Sequence, residues 1–213
     1  RELLEAYRIP VISLPGYEAD DLLGALAVQA AGQNCDTVLV TGDKDCAQLL
    51  NERVRLLDSK KDEFMTTADY AAKTGLQPSQ LPDLFGLVGD TADNIPGVAG
   101  IGPKGGQELI AQYGSLENLL EHAGEIKGKR GEKLRECAEA ARLSKRLATI
   151  DTNAPVTLDL PACVRQEPDT TKLSEIFARL GFHSLLKELP AAAKPAQKRD
   201  YRLIASSEAF AEF

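Results

Sequence analysis

The residues best equipped for chemistry are seven acids in three short stretches. Glu18, Asp20 and Asp21 lie in YEADD, Asp43 and Asp45 flank Lys44 in TGDKD, and Asp90 and Asp93 open the run GDTADNIPGVAGIGPKGG. Carboxylates grouped in this way suit a hard cation, which takes oxygen ligands. Each group also has a plainer reading. Acids in the first turn of a helix complement its dipole, and Asp and Asn shape turns by bonding their own backbone. Seven like charges brought to one edge would raise one another's pKa and oppose folding unless cations neutralise them. Mg²⁺ or Mn²⁺ is therefore the expected cofactor, and the lack of a His-rich or Cys-rich set argues against zinc. The matching chemistry is two-metal hydrolysis, in which one ion lowers the pKa of a bound water and another, roughly 4 Å away, steadies the leaving oxygen. Asp20, Asp43 and Asp90 are the candidate catalytic acids. Lys44 either helps to hold its neighbours or is an ordinary exposed lysine. His122 and His183 read as surface or packing residues.

The run that follows Asp93 offers a second kind of site. Its glycines, Gly97, Gly100 and Gly102, lead into a helix opening at Pro103-Lys104. The first N–H groups of a helix have no internal partner and favour an anion, so a phosphate fits there. Gly100, Ile101, Gly102, Lys104 and Gly105 are the candidate DNA-binding residues, gripping the sugar-phosphate chain without reading bases. A metal site beside a phosphate site is what a phosphodiester-cutting enzyme needs.

These residues need a frame. Residues 1–8 read as the tail of a helix and Ile9–Leu14 as a strand. A helix carrying Leu22, Leu23, Leu26, Ala27 and Ala30 follows, and Thr37–Thr41 is a strand of the fully buried kind. Strand, helix, strand predicts a parallel βαβ unit, with the first two acid groups meeting at its carboxyl edge. A short helix over Cys46–Asn51 precedes a third strand, Val54–Asp58, and a hairpin turn leads to Phe64–Thr66. Thr67 caps a helix that Gly75 ends, and Pro78–Val88 has amphipathic spacing. Helices over Gln107–Tyr113 and Leu116–His122, about Gly114 and the cap Ser115, read as a helix-hairpin-helix. Lys127–Ile150 reads as mostly one long basic helix and Val156–Leu160 as a strand. Helices over Asp169–Leu180 and Ser184–Leu189 are expected to pack back on the body. The alanine- and proline-rich residues 190–200 read as a linker, and Tyr201–Ala205 as the first strand of something else. The abrupt beginning and end suggest a piece of a longer polypeptide.

The composition is that of an ordinary soluble globular protein, with 27% charged and 43% hydrophobic residues over 213 positions. No apolar run is long enough for a membrane span and no secretion signal is visible. Cys35, Cys46, Cys137 and Cys163 lack metal or disulfide spacing and read as reduced, cytosolic thiols. The net charge of −7 argues against nucleic acid at first sight. Its distribution argues back: Lys127–Arg146 holds eight bases against three acids. Solvated charge on a helical face explains that run as simply as phosphate contact does.

Taken together and in order, YEADD, TGDKD, GDTADNIPGVAGIGPKGG and LSKRLATIDT resemble the 5′ nuclease domain of bacterial DNA polymerase I, a relative of flap endonucleases. The resemblance covers about Ile9 to Leu189. It implies an α/β, PIN-like 5′ nuclease fold: a mostly parallel central sheet flanked by helices, then a helical helix-hairpin-helix part. The implied division is a metal-binding core over 1–88, the helical region over 89–189, the linker over 190–200 and the start of a 3′–5′ exonuclease-like domain over 201–213. All seven acids would be the metal-binding set, with Asp90 nearer an ion and Asp93 acting through water. The hairpin would hold downstream duplex, with K⁺ on its carbonyls. Implied substrates are DNA with a 5′ flap, a nick or an RNA primer. Implied partners are downstream polymerase domains of the same chain, in a monomer at the bacterial nucleoid.

The sequence departs from the family pattern in two ways. Family members carry, before the residue equivalent to Arg1, a first strand, further metal-binding aspartates and a basic arch. On that reading the chain alone binds DNA weakly and cuts poorly. Gly105-Gly106 also stands where other side chains are usual, which predicts a looser grip. Two other function classes fit parts of the pattern. A non-catalytic DNA-binding module would use the hairpin alone, and a small-phosphate hydrolase would leave the hairpin unexplained.

Overall fold

The computed structural model describes residues 1–190. The expected linker beyond Pro190, and the strand expected at 201–205, lie outside the described residues. In chain order the elements are α1 (Glu2–Ala6), α2 (Ala19–Gly32), β1 (Thr37–Val40), β2 (Val54–Asp58), β3 (Glu63–Met65), α3 (Thr67–Thr74), α4 (Leu81–Val88), α5 (Pro103–Tyr113), α6 (Leu116–Glu121), α7 (Lys129–Glu136), α8 (Ala138–Ala148), α9 (Thr170–Leu180) and α10 (His183–Glu188). Short 3₁₀ turns at Asp45–Leu49 and Pro78–Gln80 precede β2 and α4. Two compact units result: residues 12–158, which hold every candidate site residue, and a second made, among the described residues, of 1–11 and 159–190. Among the described residues no helix is long and apolar enough to cross a membrane.

In the larger unit, β1 and β2 pair in parallel from Thr37↔Val54 to Val40↔Leu57, and β3 returns antiparallel on β2 from Leu56↔Met65 to Asp58↔Glu63. The α/β class holds, with a sheet that is small and mixed. Ile9–Leu14 is not a strand: it has no ladder partner among the described residues, and Ile9, Val11 and Ile12 stay exposed. Nor is β1 buried on both faces. Leu39 points into the core, whereas Val38 and Val40 are 39% and 62% exposed. The segment expected as a strand at Val156–Leu160 is irregular because a side chain supplies its pairing. Gln29 on α2 donates to the Val156 carbonyl at 2.7 Å and accepts from the Leu158 N–H at 2.9 Å.

The core of this unit is built around α4. Pro78–Val88 shows helical spacing but not an amphipathic placement, since Leu81 through Leu87 are all buried. Gly86 permits this, because a Cβ there would meet Leu116 Cδ2 at 2.8 Å and the Ala141 carbonyl oxygen at 3.0 Å. The one buried charge on α4 is paired. Asp83 accepts from the Leu116 N–H at 2.9 Å and from Lys145 Nζ at 2.6 Å, tying α4 to α6 and α8. The expected long basic helix is two, α7 and α8, which meet at Cys137. Leu134 of α7 and Ala141 of α8 are both buried in the core.

The smaller unit buries Ala6 of α1 with Leu173, Ile176 and Phe177 of α9. The Asp169 N–H donates to the Ala6 carbonyl at 2.8 Å, and the Asp169 side chain caps α9 through the Lys172 N–H at 3.0 Å. Arg179 pairs with Glu2 across the same two helices.

Candidate metal centre and nucleic-acid interface

At the carboxyl end of β1 the chain turns on its own side chains. The Asp43 N–H donates to Thr41 Oγ1, and the Asp45 N–H donates to Asp43 Oδ1, each at 3.0 Å. This turn carries Asp45 inward, where its Oδ1 is buried without a hydrogen-bond partner. Burial, followed by the charge of Asp43, pushes the Asp45 carboxyl up to about 6.

The second wall comes from the end of α4. Gly89 adopts φ +71°, a conformation that favours glycine, and turns the chain so that Asp90 and Ile95 pair as a two-residue bridge. The Asp90 side chain is buried, accepts from the Ala92 N–H at 2.8 Å and meets Lys44 Nζ at 2.5 Å. The hydrogen bond from Lys44 is the main reason that the Asp90 carboxyl lies below its ordinary range and the Lys44 ammonium above its own. Asp45, Asp90 and Asp93 each bring an oxygen within 4.8 Å of the other two. A buried carboxylate oxygen lacking any donor, in an all-oxygen set, fits a hard divalent cation.

The remaining acids differ in position. Glu18, Asp20 and Asp21 start α2 and share with Asp45 and Asp93 a cleft of about 530 Å³, whose far side is the α8 end and its continuation, Arg146–Asp151. Burial is the largest cause of the raised Asp20 carboxyl, to which the charges of Asp21 and Asp43 add. Asp21 has structural work: it accepts from the Glu18 N–H at 3.2 Å and from the Asp151 N–H at 2.7 Å. Asp43 lines a separate cleft with Lys44, Phe64 and Tyr70, although its charge still reaches Asp20 and Asp45.

The candidate DNA-binding residues Gly100 to Gly105 lie on the loop between α4 and α5 and on the first turn of α5. Gly100 and Gly102 are exposed, with nothing within 4 Å of where a Cβ would stand. Ile101 departs from expectation: its N–H donates to the Val98 carbonyl at 3.1 Å and its side chain is buried, so its amide closes the turn. Lys104 is exposed on the first turn of α5. The Arg130 guanidinium approaches Gly105, with Nη2 3.6 Å from the position of a Cβ there. Composition marked the basic run but could not single out Arg130. Four of its eight bases are engaged within the protein: Lys133 with Glu136, Arg142 with Glu117 and Glu139, Lys145 with Asp83, and Arg135 with the Ala123 carbonyl.

Residues 1–75 match the family model for the 5′–3′ exonuclease N-terminal resolvase-like domain, and residues 76–171 match that for the 5′–3′ exonuclease C-terminal SAM fold. The chain belongs to the 5′–3′ exonuclease family. DNA polymerase I of Bacillus caldotenax is 42% identical over 203 residues, 93% of this chain and 23% of that protein. DNA polymerase I of Bacillus subtilis (strain 168) is 39% identical, again over 93% of this chain and 23% of the relative. The chain thus spans about a quarter of the length of these relatives. Two solved structures share the fold. A single-residue mutant of the T5 5′-exonuclease has a TM-score of 0.61 at 21% identity, covering 84% of this chain and 69% of that one. The catalytic core of Rad2 in complex with DNA substrate has a TM-score of 0.60 at 23% identity, covering 88% of this chain and 66% of that one. A T5 D15 protein was co-crystallised with metal ions. In this 5′–3′ exonuclease domain, a phosphodiester hydrolase by family, the oxygen triad crosses the boundary of the two family regions. Asp45 comes from the resolvase-like part, and Asp90 and Asp93 come from the SAM-fold part.

Proposed function

We propose that this domain is a divalent-metal-dependent 5′→3′ exonuclease and structure-specific 5′ flap endonuclease within a longer DNA polymerase I-like protein. Its substrates are duplexes with a 5′ flap, a nick or an RNA primer, and its setting is replication and repair at the bacterial nucleoid, as a monomer. The observation that carries the reading is the convergence of Asp45, Asp90 and Asp93, with one Asp45 oxygen buried and unpartnered. Family membership and the DNA-bound solved structure support it.

Asp45, Asp90 and Asp93 would hold the cation, and Glu18, Asp20 and Asp21 on the cleft wall, with Asp43 beside it, would hold or orient a second one. Mg²⁺ or Mn²⁺ is the fitting choice for an all-oxygen set. Bound there, such ions lower the pKa of water and stabilise charge on the phosphate. Lys44 keeps Asp90 ionised and ready as a ligand. Asp21 holds the Asp151 N–H and so fixes one wall of the cleft. The exposed backbone at Gly100 and Gly102, with Lys104 and Gly105 on the first turn of α5, meets the duplex phosphates, and K⁺ on the hairpin carbonyls would strengthen that contact. The division is a metal-binding α/β core over residues 1–88 and a helix-hairpin-helix and helical region over 89–189, which adds Asp90 and Asp93 to the metal site and carries the duplex contacts.

The test is cleavage of an end-labelled 5′-flapped duplex by the polypeptide that contains this domain, in Mg²⁺, Mn²⁺ or EDTA. Cutting should require metal. Asp45→Asn and Asp90→Ala should abolish it while retaining the metal-free duplex affinity. Cutting that persists in EDTA, or that neither substitution changes, would overturn the proposal.

A further inference from the structure

Ser144 on α8 is fully buried and lies outside both candidate sites. Its Oγ accepts the N–H of Gly97 at 3.2 Å. Gly97 adopts φ +62° and lies so close to Gly89 that a Cβ on either residue would strike the other's stretch of backbone. Just beyond the contact, Asp90 and Ile95 exchange two backbone hydrogen bonds, at 2.9 and 2.7 Å, and the Val98 N–H donates to the Leu87 carbonyl at 2.7 Å. The loop from Gly89 to Val98 is thereby cinched at its base, and Ser144 is the side chain that ties the cinch to α8. Asp90 and Asp93 leave from one end of this loop, and Gly100 and Gly102 from the other.

The helix that carries Ser144 is itself well placed. Lys145 pairs with Asp83 on α4, and Ala141 packs on Gly86 of α4. A buried N–H with its single acceptor is expensive to orphan, so the loop cannot drift from α8 without losing that bond. Resting on the metal-nuclease reading above, we infer that Ser144 is a positioning residue. It sets the separation between the acid triad and the exposed turn at the start of α5, and thereby couples metal binding to duplex grip. It touches neither ligand.

The test measures affinity for a short fluorescent 5′-flapped duplex by anisotropy, with and without Mn²⁺, and Mn²⁺ affinity by calorimetry, in the full chain. Wild type is expected to bind duplex at least tenfold more tightly with Mn²⁺. Ser144→Ala should cut that enhancement to less than threefold and weaken Mn²⁺ binding, with metal-free duplex affinity little changed. Ser144→Thr, which keeps the hydroxyl, should restore the enhancement. If Ser144→Ala does not fold, Ser144→Cys carries the same comparison, because its sulfur is a weaker acceptor of similar size. A lowered melting temperature with the Mn²⁺ enhancement intact would make Ser144 merely structural and overturn the inference, as would a wild type lacking the enhancement. Failure of the nuclease reading appears separately, as wild type that binds Mn²⁺ and duplex together yet leaves the strand uncut.

Discussion

Lys44 Nζ stands 2.5 Å from Asp90 Oδ2, and the two side chains differ sharply in exposure: 67% for the lysine and 4% for the aspartate. An exposed cation thus reaches in to neutralise a buried carboxylate beside two further acids. The same contact links the turn after β1 to the turn after α4, so one ion pair joins the two halves of the acid cluster.

Removing that cation should destabilise the metal-free protein. Lys44→Met leaves Asp90 buried beside Asp45 and Asp93 with only backbone donors. The lysine end is solvated, so the loss should be about 1–2 kcal/mol, below the range for a fully buried pair. Urea unfolding with and without Mg²⁺ checks this. Saturating Mg²⁺ should recover most of the loss, and an equal loss in both conditions would contradict the shared role.

Asp45 predicts a particular pH dependence. Its carboxyl sits at about 6 in the fold, above the ordinary aspartate value of 3.8. The folded state therefore binds the proton more tightly than the unfolded chain, and the destabilisation is absent below about pH 4 and complete above about pH 6. The contribution of this group to metal-free stability should fall as pH rises between those limits. Asp45→Asn should remove that decline and raise the metal-free melting temperature at pH 7.5. Mg²⁺ should raise the wild-type melting temperature more at pH 7.5 than at pH 5.

The two adjacent glycines of α5 should behave oppositely. A Cβ on Gly106 would lie 2.5 Å from Val88 Cγ1 and 3.0 Å from Leu84 Cδ1, in the contact between α5 and α4. Gly106→Ala should cost roughly 1–3 kcal/mol through overpacking. At Gly105 the nearest atom is Arg130 Nη2 at 3.6 Å, an ordinary contact. Gly105→Ala should stabilise by up to about 1 kcal/mol through helix propensity. Thermal melts of both variants decide this.

Arg130 and Lys104 should act as phosphate contacts that carry no sequence preference. Replacing either with alanine is expected to weaken binding evenly across duplexes of different sequence. Each should lower the slope of log affinity against log salt by about 1. Salt titrations by anisotropy provide the measurement, and an unchanged slope would assign the cation to a solvated helix face.

Much of the site was legible in the chain because local chemistry writes it locally. Acids that cap turns, glycines at positive φ and a proline opening α5 all act within a few residues, so YEADD, TGDKD and the Gly89–Gly106 run could be marked as turns with spare carboxylates or amides. What eluded sequence reading depended on partners far along the chain. Ile9–Leu14 has strand composition, yet a strand exists only where another backbone pairs with it. Val156–Leu160 found its partner in the Gln29 side chain instead. The Pro78–Val88 spacing fits an amphipathic helix, but the packing of α6 and α8 around Gly86 buries nearly the whole turn.

By itself, then, the order of residues determined which groups were available: oxygen ligands, a flexible glycine loop, a cationic stretch, and the helices that bear them. Tertiary structure alone decided how they combine. It brought Asp45 to Asp90 and Asp93, gave Lys44 to Asp90, spent half of the basic run on internal pairs, and hung the loop on Ser144. The physical reason is range. Turn and helix preferences are settled by neighbours in sequence, whereas burial, ion pairing and carboxylate proximity depend on which distant surfaces share a core.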